Sequence, residues 1–263
     1  MKEHVTYQAF HDRESSFRFF YSENADTQPH FHRCIEMLYI TAGRADCTVD
    51  GESFTAEKDD IVFVRRCAAH SLRPAPTYAN YVAIVKAAYA DDFEKQLEKE
   101  TLPPHLADKA YNRTLRPLLP RMLRAMREPS FLVMKGYADI LLGSLLQHYE
   151  RRPFSPTPNL SAVVDALNYI DEHFAEPLTL DALAAHFGYN KYYFSRLFNA
   201  YIGENMNNYI NAVRVRKLAE AAKHTENVNV SDLAFACGFD SMTTFYRHFE
   251  RIYGRAPSDV FGK

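Results

Sequence analysis

The sequence predicts an α+β multidomain chain: an N-terminal β-barrel carrying a helical hairpin, then a C-terminal all-α domain with two tandem helix-turn-helix units. Three observations predict it. Short strand-like runs fill residues 5–89, helix-period apolar runs fill 91–150, and one helical unit is written twice in the last 85 residues. At 263 residues the chain is long enough for two domains with proper cores.

The first element, residues 1–90, reads as a barrel. Ile35–Ile40, Ala45–Val49, Ile61–Val64 and Tyr81–Val85 have strand composition in short alternating runs. Asp50-Gly51 is a strong hairpin turn ahead of Ser53-Phe54. Many short strands separated by turns indicate a sandwich or barrel, and jelly-roll cupins are one such class. Within it His30, His32 and Glu36 form H-x-H-x3-E, with Gly43 seven residues beyond the Glu. All three occupy even positions, so on one continuous strand they share a face. His70 follows the Ile61–Val64 strand and is placed to complete a site.

This pattern resembles the first cupin motif, whose enzymes hold a transition metal through three His and a Glu. Asn24 stands where the motif begins with Gly. Asp59, Arg65, Cys67 and Pro74 take the Gly, Pro, Gly and Asn positions of the second motif, leaving His70. Two readings follow for His30, His32, Glu36 and His70. In one they bind a transition metal such as Zn, Fe, Ni or Cu. In the other, which is preferred, they are a vestige that hydrogen-bonds inside the barrel or touches an effector, with no cofactor. Arg33, Arg44, Arg65 and Arg66 near the strands offer partners for an acidic effector, against the ordinary alternative of solvated surface arginines.

Residues 91–150 form the second element. Asp91–Glu100 reads as a short amphipathic helix before Pro103-Pro104. Thr114–Arg127 and Phe131–Tyr149 carry apolar residues at helical spacing, the latter over a face broader than one shallow contact needs. Arg151-Arg152-Pro153-Phe154 and the prolines that follow break the helix, so 151–159 reads as a semi-rigid linker.

The third element, residues 160–263, carries the repeat. Leu183-Ala184, Gly188-Tyr189, Phe194-Ser195-Arg196-Leu197-Phe198 and Gly203 return as Leu233-Ala234, Gly238-Phe239, Phe245-Tyr246-Arg247-His248-Phe249 and Gly254. The offset is 50 residues up to Gly238 and 51 from Phe245 onward. Two copies are too few for a solenoid. Each reads as a short helix, a Gly turn and a longer helix, a helix-turn-helix pair whose tandem use points to DNA. Thr179 and Asn229 are placed to cap the first helices, and Gly188 and Gly238 suit a left-handed helix end. Phe194, Leu197, Phe198, Phe245 and Phe249 face inward by their spacing. Lys191, Tyr192, Tyr193, Ser195 and Arg196 point out in one copy, as do Ser241, Met242, Thr243, Tyr246 and Arg247 in the other. Arg196 and Arg247 are equivalent, and Arg can grip guanine edges or a phosphate. The plain alternative is the solvated face of a helical bundle, which the repetition of turn glycine, outward Arg and inward aromatics disfavours.

Residues Ala234–Ser241, Phe245–Phe249 and Tyr253–Ser258 together resemble the AraC/XylS family of transcription regulators. The resemblance implies a seven-helix DNA-binding domain in which one long helix joins two helix-turn-helix units. It also implies groove-facing roles for Tyr192, Ser195, Arg196, Met242, Thr243, Tyr246 and Arg247, and a dimer interface on helices of roughly 114–149. Independently, the apolar-periodic segment Asn205–Lys223 spans roughly 28 Å as a helix, close to the roughly 34 Å between successive major-groove turns. An asymmetric DNA site is therefore expected.

Charge tempers this. The chain has 31 Lys+Arg against 33 Asp+Glu, and residues 160–263 have 10 against 12. Such a balance excludes a strongly basic nucleic-acid binder, unless Lys191, Arg196, Arg214, Arg216, Lys217, Arg247 and Arg251 cluster on one face. Few phosphate contacts and a shallow salt dependence are expected. Cys34, Cys47, Cys67 and Cys237 sit at no CxxC spacing and suggest no disulfide framework. The start Met1-Lys2-Glu3-His4 lacks a signal-peptide pattern and no run approaches a membrane span, so a cytoplasmic bacterial protein is expected. The leading reading is a non-enzymatic transcription regulator, with no catalytic residues. Its partners would be double-stranded promoter DNA, a small-molecule effector, a second copy of itself and, for an activator, RNA polymerase. The alternative is a metal-dependent cupin enzyme or metal sensor fused to a DNA-binding domain.

Overall fold

The computed structural model describes residues 6–7, 17–97, 99–154, 158–222 and 229–261. The chain divides into two compact units, Met1–Ser155 and Pro156–Lys263.

The first unit is built on two five-stranded sheets. Its strands are β1 (Thr6–Tyr7), β2 (Arg18–Glu23), β3 (Thr27–Phe31), β4 (Ile35–Ala42), β5 (Arg44–Val49), β6 (Glu52–Glu57), β7 (Ile61–Val64), β8 (His70–Pro74), β9 (Ala79–Val85), β10 (Glu100–Thr101), β11 (His105–Leu106) and β12 (Arg152–Pro153). One sheet runs β1-β3-β8-β5-β6 and the other β11-β7-β4-β9-β2, while β10 and β12 pair in a separate ribbon. The expected β5–β6 hairpin is present, with Val49 opposite Glu52 and Asp50 and Gly51 both at positive φ.

The central strands do not alternate apolar and polar residues. Ile35 to Ile40 are all buried, as are Ile61 to Val64. The reason is that the second sheet is covered on both faces. Leu38, Ile40, Val62, Val64, Val82 and Ile84 face the first sheet and fill the barrel interior with Cys47 and Tyr78. Ile35, Met37, Tyr39, Phe63, Ala83 and Val85 pack instead beneath helices.

Those helices are α1 (Ala87–Leu97), α2 (Lys109–Leu115), a 3₁₀ turn (Arg116–Leu118), α3 (Leu119–Ala125) and α4 (Phe131–His148). The single helix expected over Thr114–Arg127 is broken because Pro117 and Pro120 lack an N–H and clash with the preceding turn. Asn112, fully buried, donates to the carbonyls of Asp59 and Leu106 and accepts from Tyr149 Oη, tying α2 and the end of α4 to the barrel. Of the expected linker 151–159, Arg152–Pro153 is β12, residues 158–159 open a helix, and 155–157 lie outside the described residues.

The second unit holds seven described helices: α5 (Pro158–Glu172), α6 (Leu180–His186), α7 (Lys191–Ile202), α8 (Met206–Ala222), α9 (Val230–Ala236), α10 (Met242–Tyr253) and α11 (Pro257–Phe261). The helix expected over Asn205–Lys223 is α8, about 25 Å long at about 1.5 Å per residue; Lys223 lies outside the described residues. Thr179 and Asn229 cap α6 and α9, their oxygens accepting from Ala182 N and from Ser231 N and Asp232 N. Gly188 and Gly238 take φ +72° and +86°, and Gly203 and Gly254 end α7 and α10 in the same left-handed region. Phe194, Phe198, Phe245 and Phe249 are fully buried.

Candidate functional site

The two helix-turn-helix units are α6–α7 and α9–α10. Their second helices present unlike surfaces on matching scaffolds. On α7, Tyr192 is 75% exposed, Arg196 is exposed and Ser195 half-buried. On α10, Thr243, Tyr246 and Arg247 are exposed. Neither Arg196 nor Arg247 is held in an ion pair among the described residues, so both guanidiniums are available to a ligand.

Four other expected contact residues have local partners. Lys191 Nζ lies 2.7 Å from Asp181 Oδ2, an exposed pair of little energetic weight. Tyr193 Oη donates to Asn159 Oδ1 at 2.9 Å. Ser241 is the N-cap of α10, its Oγ accepting from Thr244 N, and Met242 is half-buried against the core around Phe245.

The expected basic face is smaller than its sequence suggested. Arg214 is 7% exposed, and its Nε and Nη2 each donate at 2.8 Å to the carbonyls of Phe174 and Glu176. It pins the turn after α5 to α8 and is not available at the surface. Arg251 is tied to Glu204 at 3.2 Å, while Arg216 and Lys217 lie over the rings of Tyr209 and Phe174. A polar groove of about 490 Å³ between the start of α8 and α10 was missed. It is lined by Asn207, Asn208, Asn211, Thr244 and Arg247. Its signal was four Asn within Asn205–Asn211, an unusual density for a poor helix former.

In the barrel, His30, His32, Glu36 and His70 come together, all buried, with one ligand atom from each lying within 4.8 Å of the others. They do not share one strand face. His30 belongs to β3 in the first sheet, His32 to the turn, and Glu36 to β4 in the second sheet. The chain bends at 32–34, and closure of the two sheets brings the groups together. His30 and His70 turn Nδ1 toward the carbonyls of Gln28 and Ala68, each at 2.9 Å, and His32 Nδ1 lies 3.2 Å from Cys34 O. His32 Nε2 lies 2.8 Å from Glu36 Oε2, and His70 Nε2 lies 3.4 Å from the same oxygen.

Burial dominates the electrostatics of His30 and pushes its pKa down to about 3, with the neighbouring His70 adding to it. For Glu36 burial alone would raise the pKa, but the hydrogen bonds from His32 and His70 outweigh it and hold the carboxyl well below its usual range. Three imidazoles around a carboxylate, with Nδ1 facing backbone carbonyls, are the donor set that borderline transition metals take. The buried Nε2 of His70 makes only its 3.4 Å contact with Glu36 Oε2, an arrangement that also fits a metal ligand.

The glycine positions of the two motifs hold Asn24, Asp59 and Cys67, yet all three are at positive φ, +51°, +68° and +61°. The backbone turns are kept although the residues that favour them are gone. Asn24 is supported by Oδ1 accepting from Tyr78 N, and Asp59 by Oδ1 accepting from Tyr39 Oη at 2.9 Å.

A helix-turn-helix domain model matches residues 183–263, and a cupin domain model matches residues 17–77. Regulatory protein SoxS of Escherichia coli (strain K12) is 35% identical over 97 residues, which cover 37% of this chain and 90% of SoxS. The chain belongs to the AraC/XylS family of transcription regulators. The HTH-type transcriptional activator AarP of Providencia stuartii is 35% identical over 100 residues, covering 37% of this chain and 72% of AarP. Among solved structures, ToxT from Vibrio cholerae O395 is 12% identical, covers 94% of this chain and 98% of its own, and has a TM-score of 0.43. As a family member the chain is a DNA-binding transcription regulator with a cupin domain ahead of its helix-turn-helix domain. Among the described residues no helix is long and apolar enough to cross a membrane.

Proposed function

We propose that this regulator reads an asymmetric DNA site through α7 and α10 and is switched by a small molecule bound in its first unit. One observation carries the reading of DNA: repeat-equivalent Arg196 and Arg247 stand exposed and without an ion pair among the described residues, beside Tyr192 and Tyr246, while Lys191, Arg214, Arg216, Lys217 and Arg251 are engaged. Each Arg would contact a base edge or phosphate from its own groove, with Ser195 and Thr243 adding unlike contacts. The test is duplex selection from a random pool, followed by affinity measurement with Arg196→Ala and Arg247→Ala. Each is expected to weaken binding about 5- to 150-fold, from about 1–3 kcal/mol per bidentate contact. Wild-type affinity in both variants would remove the groove assignment.

Self-association through α4 belongs to the same reading. Met134, Ala138, Leu141, Leu142 and Leu145 bury one face of α4 in the barrel core, while Leu132 and Ile140 are 79% and 52% exposed on another. A helix apolar on two faces needs a second cover, and a second copy would also raise affinity for a DNA site with few phosphate contacts. An activator would further engage RNA polymerase.

A second reading is favoured by the His/Glu cluster. His30, His32, His70 and Glu36 would hold a transition metal, which would supply Lewis-acid or redox chemistry when bound, or act as the sensed ion. Elemental analysis of the purified chain separates the readings. A stoichiometric metal lost in His32→Ala supports the second, and no metal after reconstitution refutes it.

A further inference from the structure

Outside the barrel interior, a cavity of about 320 Å³ lies between the β5–β6 turn, β7 and the β10–β12 ribbon. Its volume is at the lower end of the ligand-pocket range of about 300–1,000 Å³. The barrel contributes Asp50, Phe63 and Arg65, and the ribbon contributes Thr101, Arg152 and Phe154.

Arg65 is not the solvated surface residue that an isolated Arg usually is. Its side chain is 16% exposed, and its guanidinium lies 3.5 Å from the centre of the Phe154 ring. Nη2 pairs with Asp50 Oδ2 at 2.8 Å and Nη1 donates to Arg66 O at 2.7 Å. The remaining donor, Nε, is buried and has no partner among the described residues. Thr101, 6% exposed, has a buried Oγ1 in the same condition. A buried unmade hydrogen bond is costly, and here two donors, Arg65 Nε and Thr101 Oγ1, face one cavity where a single acceptor group can satisfy both. Arg65 is paired with Asp50 and Arg152 with Glu52 at 2.7 Å, so each guanidinium is matched by a carboxylate, and the call for an acceptor comes from the unmade hydrogen bonds of Arg65 Nε and Thr101 Oγ1. Phe63, Pro104 and Phe154 supply apolar surface beside it.

We infer that this cavity binds a small organic carboxylate, one oxygen accepting from Arg65 Nε and the acid group also accepting from the Thr101 hydroxyl, with its apolar body against Phe63, Pro104 and Phe154. The ligand would be the effector of the proposed regulator, so the inference rests on that reading. Position supports it. Phe154 is stacked on Arg65 and its N–H donates to Lys99 O at 2.9 Å, and it is the last described residue before residues 155–157, which join the two units. A ligand that engages Arg65 therefore acts on the final anchor of the first unit. An effector shifts an equilibrium only through such a differential contact.

The experiment is calorimetry on the full chain with benzoate, phenylacetate and octanoate, each paired with its neutral amide. At least one acid is expected to bind, at least tenfold tighter than its amide. Loss of a hydrogen bond to a charged group predicts weakening of roughly 10-fold or more in Arg65→Lys, which keeps the charge but lacks Nε. The near-isosteric Thr101→Val, which leaves the Asp50 pair and the Phe154 stack intact, is expected to lose about 3- to 10-fold. Amide exchange at Phe154 should slow when the acid is bound. The inference is overturned if none of the three acids binds, or if an acid binds both variants as it binds wild type. Binding that leaves DNA affinity unchanged would keep the site and refute effector control through it. A small molecule that changes DNA affinity equally in wild type and Arg65→Lys would keep effector control and refute the site.

Discussion

Gly188 and Gly238 hold the same place in the two units, yet their surroundings differ in a way that can be measured. Both are left-handed, so an Ala at either costs about 1–2 kcal/mol in backbone strain. An added Cβ at Gly188 meets nothing within 4 Å, whereas at Gly238 it would lie 2.7 Å from Ala175 O and 2.9 Å from its C and Cα. Backbone atoms cannot rotate aside as a side chain can, and overpacking of this kind adds about 1–3 kcal/mol. The turn holding Ala175 is also the one whose Phe174 and Glu176 carbonyls Arg214 grips, so it has little room to yield. Gly188→Ala should raise local opening about 5- to 30-fold, and Gly238→Ala at least about fivefold beyond that. Hydrogen exchange read by mass spectrometry over α7 and α10 in the full chain, with urea midpoints alongside, measures both. Equal effects of the two substitutions would show that the close approach to Ala175 does not constrain the second unit.

Three further outcomes are expected. Arg214→Ala removes a buried guanidinium that satisfies two carbonyls and should destabilise the second unit by about 2–4 kcal/mol in urea titration, whereas Arg251→Ala, an exposed pair, should cost under about 1 kcal/mol; the reverse order would contradict the burial of Arg214. Thr77 is a β-branched residue at φ +69° in the third position of an Ala75–Tyr78 turn that has Pro76 second, a place that favours Gly. Thr77→Gly should therefore stabilise by about 1 kcal/mol, seen as a melting midpoint higher by about 2–4 °C. Leu132→Asp with Ile140→Asp should convert a dimer to a monomer in sedimentation at unchanged melting of the first unit, and identical sedimentation of variant and wild type would rule α4 out as the interface.

The repeat could be read because its determinants are local. Caps at Thr179 and Asn229, left-handed glycines at Gly188 and Gly238, and inward phenylalanines at helical spacing each depend on residues a few positions apart. The barrel was only partly legible. β4, β5, β7 and β9 carry strand composition, but β3 contains Pro29 and three polar residues and β8 is His-Ser-Leu-Arg-Pro, so neither has the pattern that marks a strand. For the His/Glu cluster, residue types and spacing named all four members. Spacing alone put His30, His32 and Glu36 on one strand, because it carries no information about the bend at 32–34.

By itself, then, the sequence determined the helix-turn-helix pair, its ends and its inward faces, and the chemistry of the four groups in the barrel. Tertiary structure decided which charges are used up. Arg214 is spent on carbonyls 38 and 40 residues away, and Arg65 is half-buried under Phe154, the residue that follows β12, while Arg196 and Arg247 stay exposed. The physical reason is that a cap or a turn answers to its own neighbours along the chain. The burial of a charge and the shape of a cavity answer to segments that meet only when the chain closes on itself.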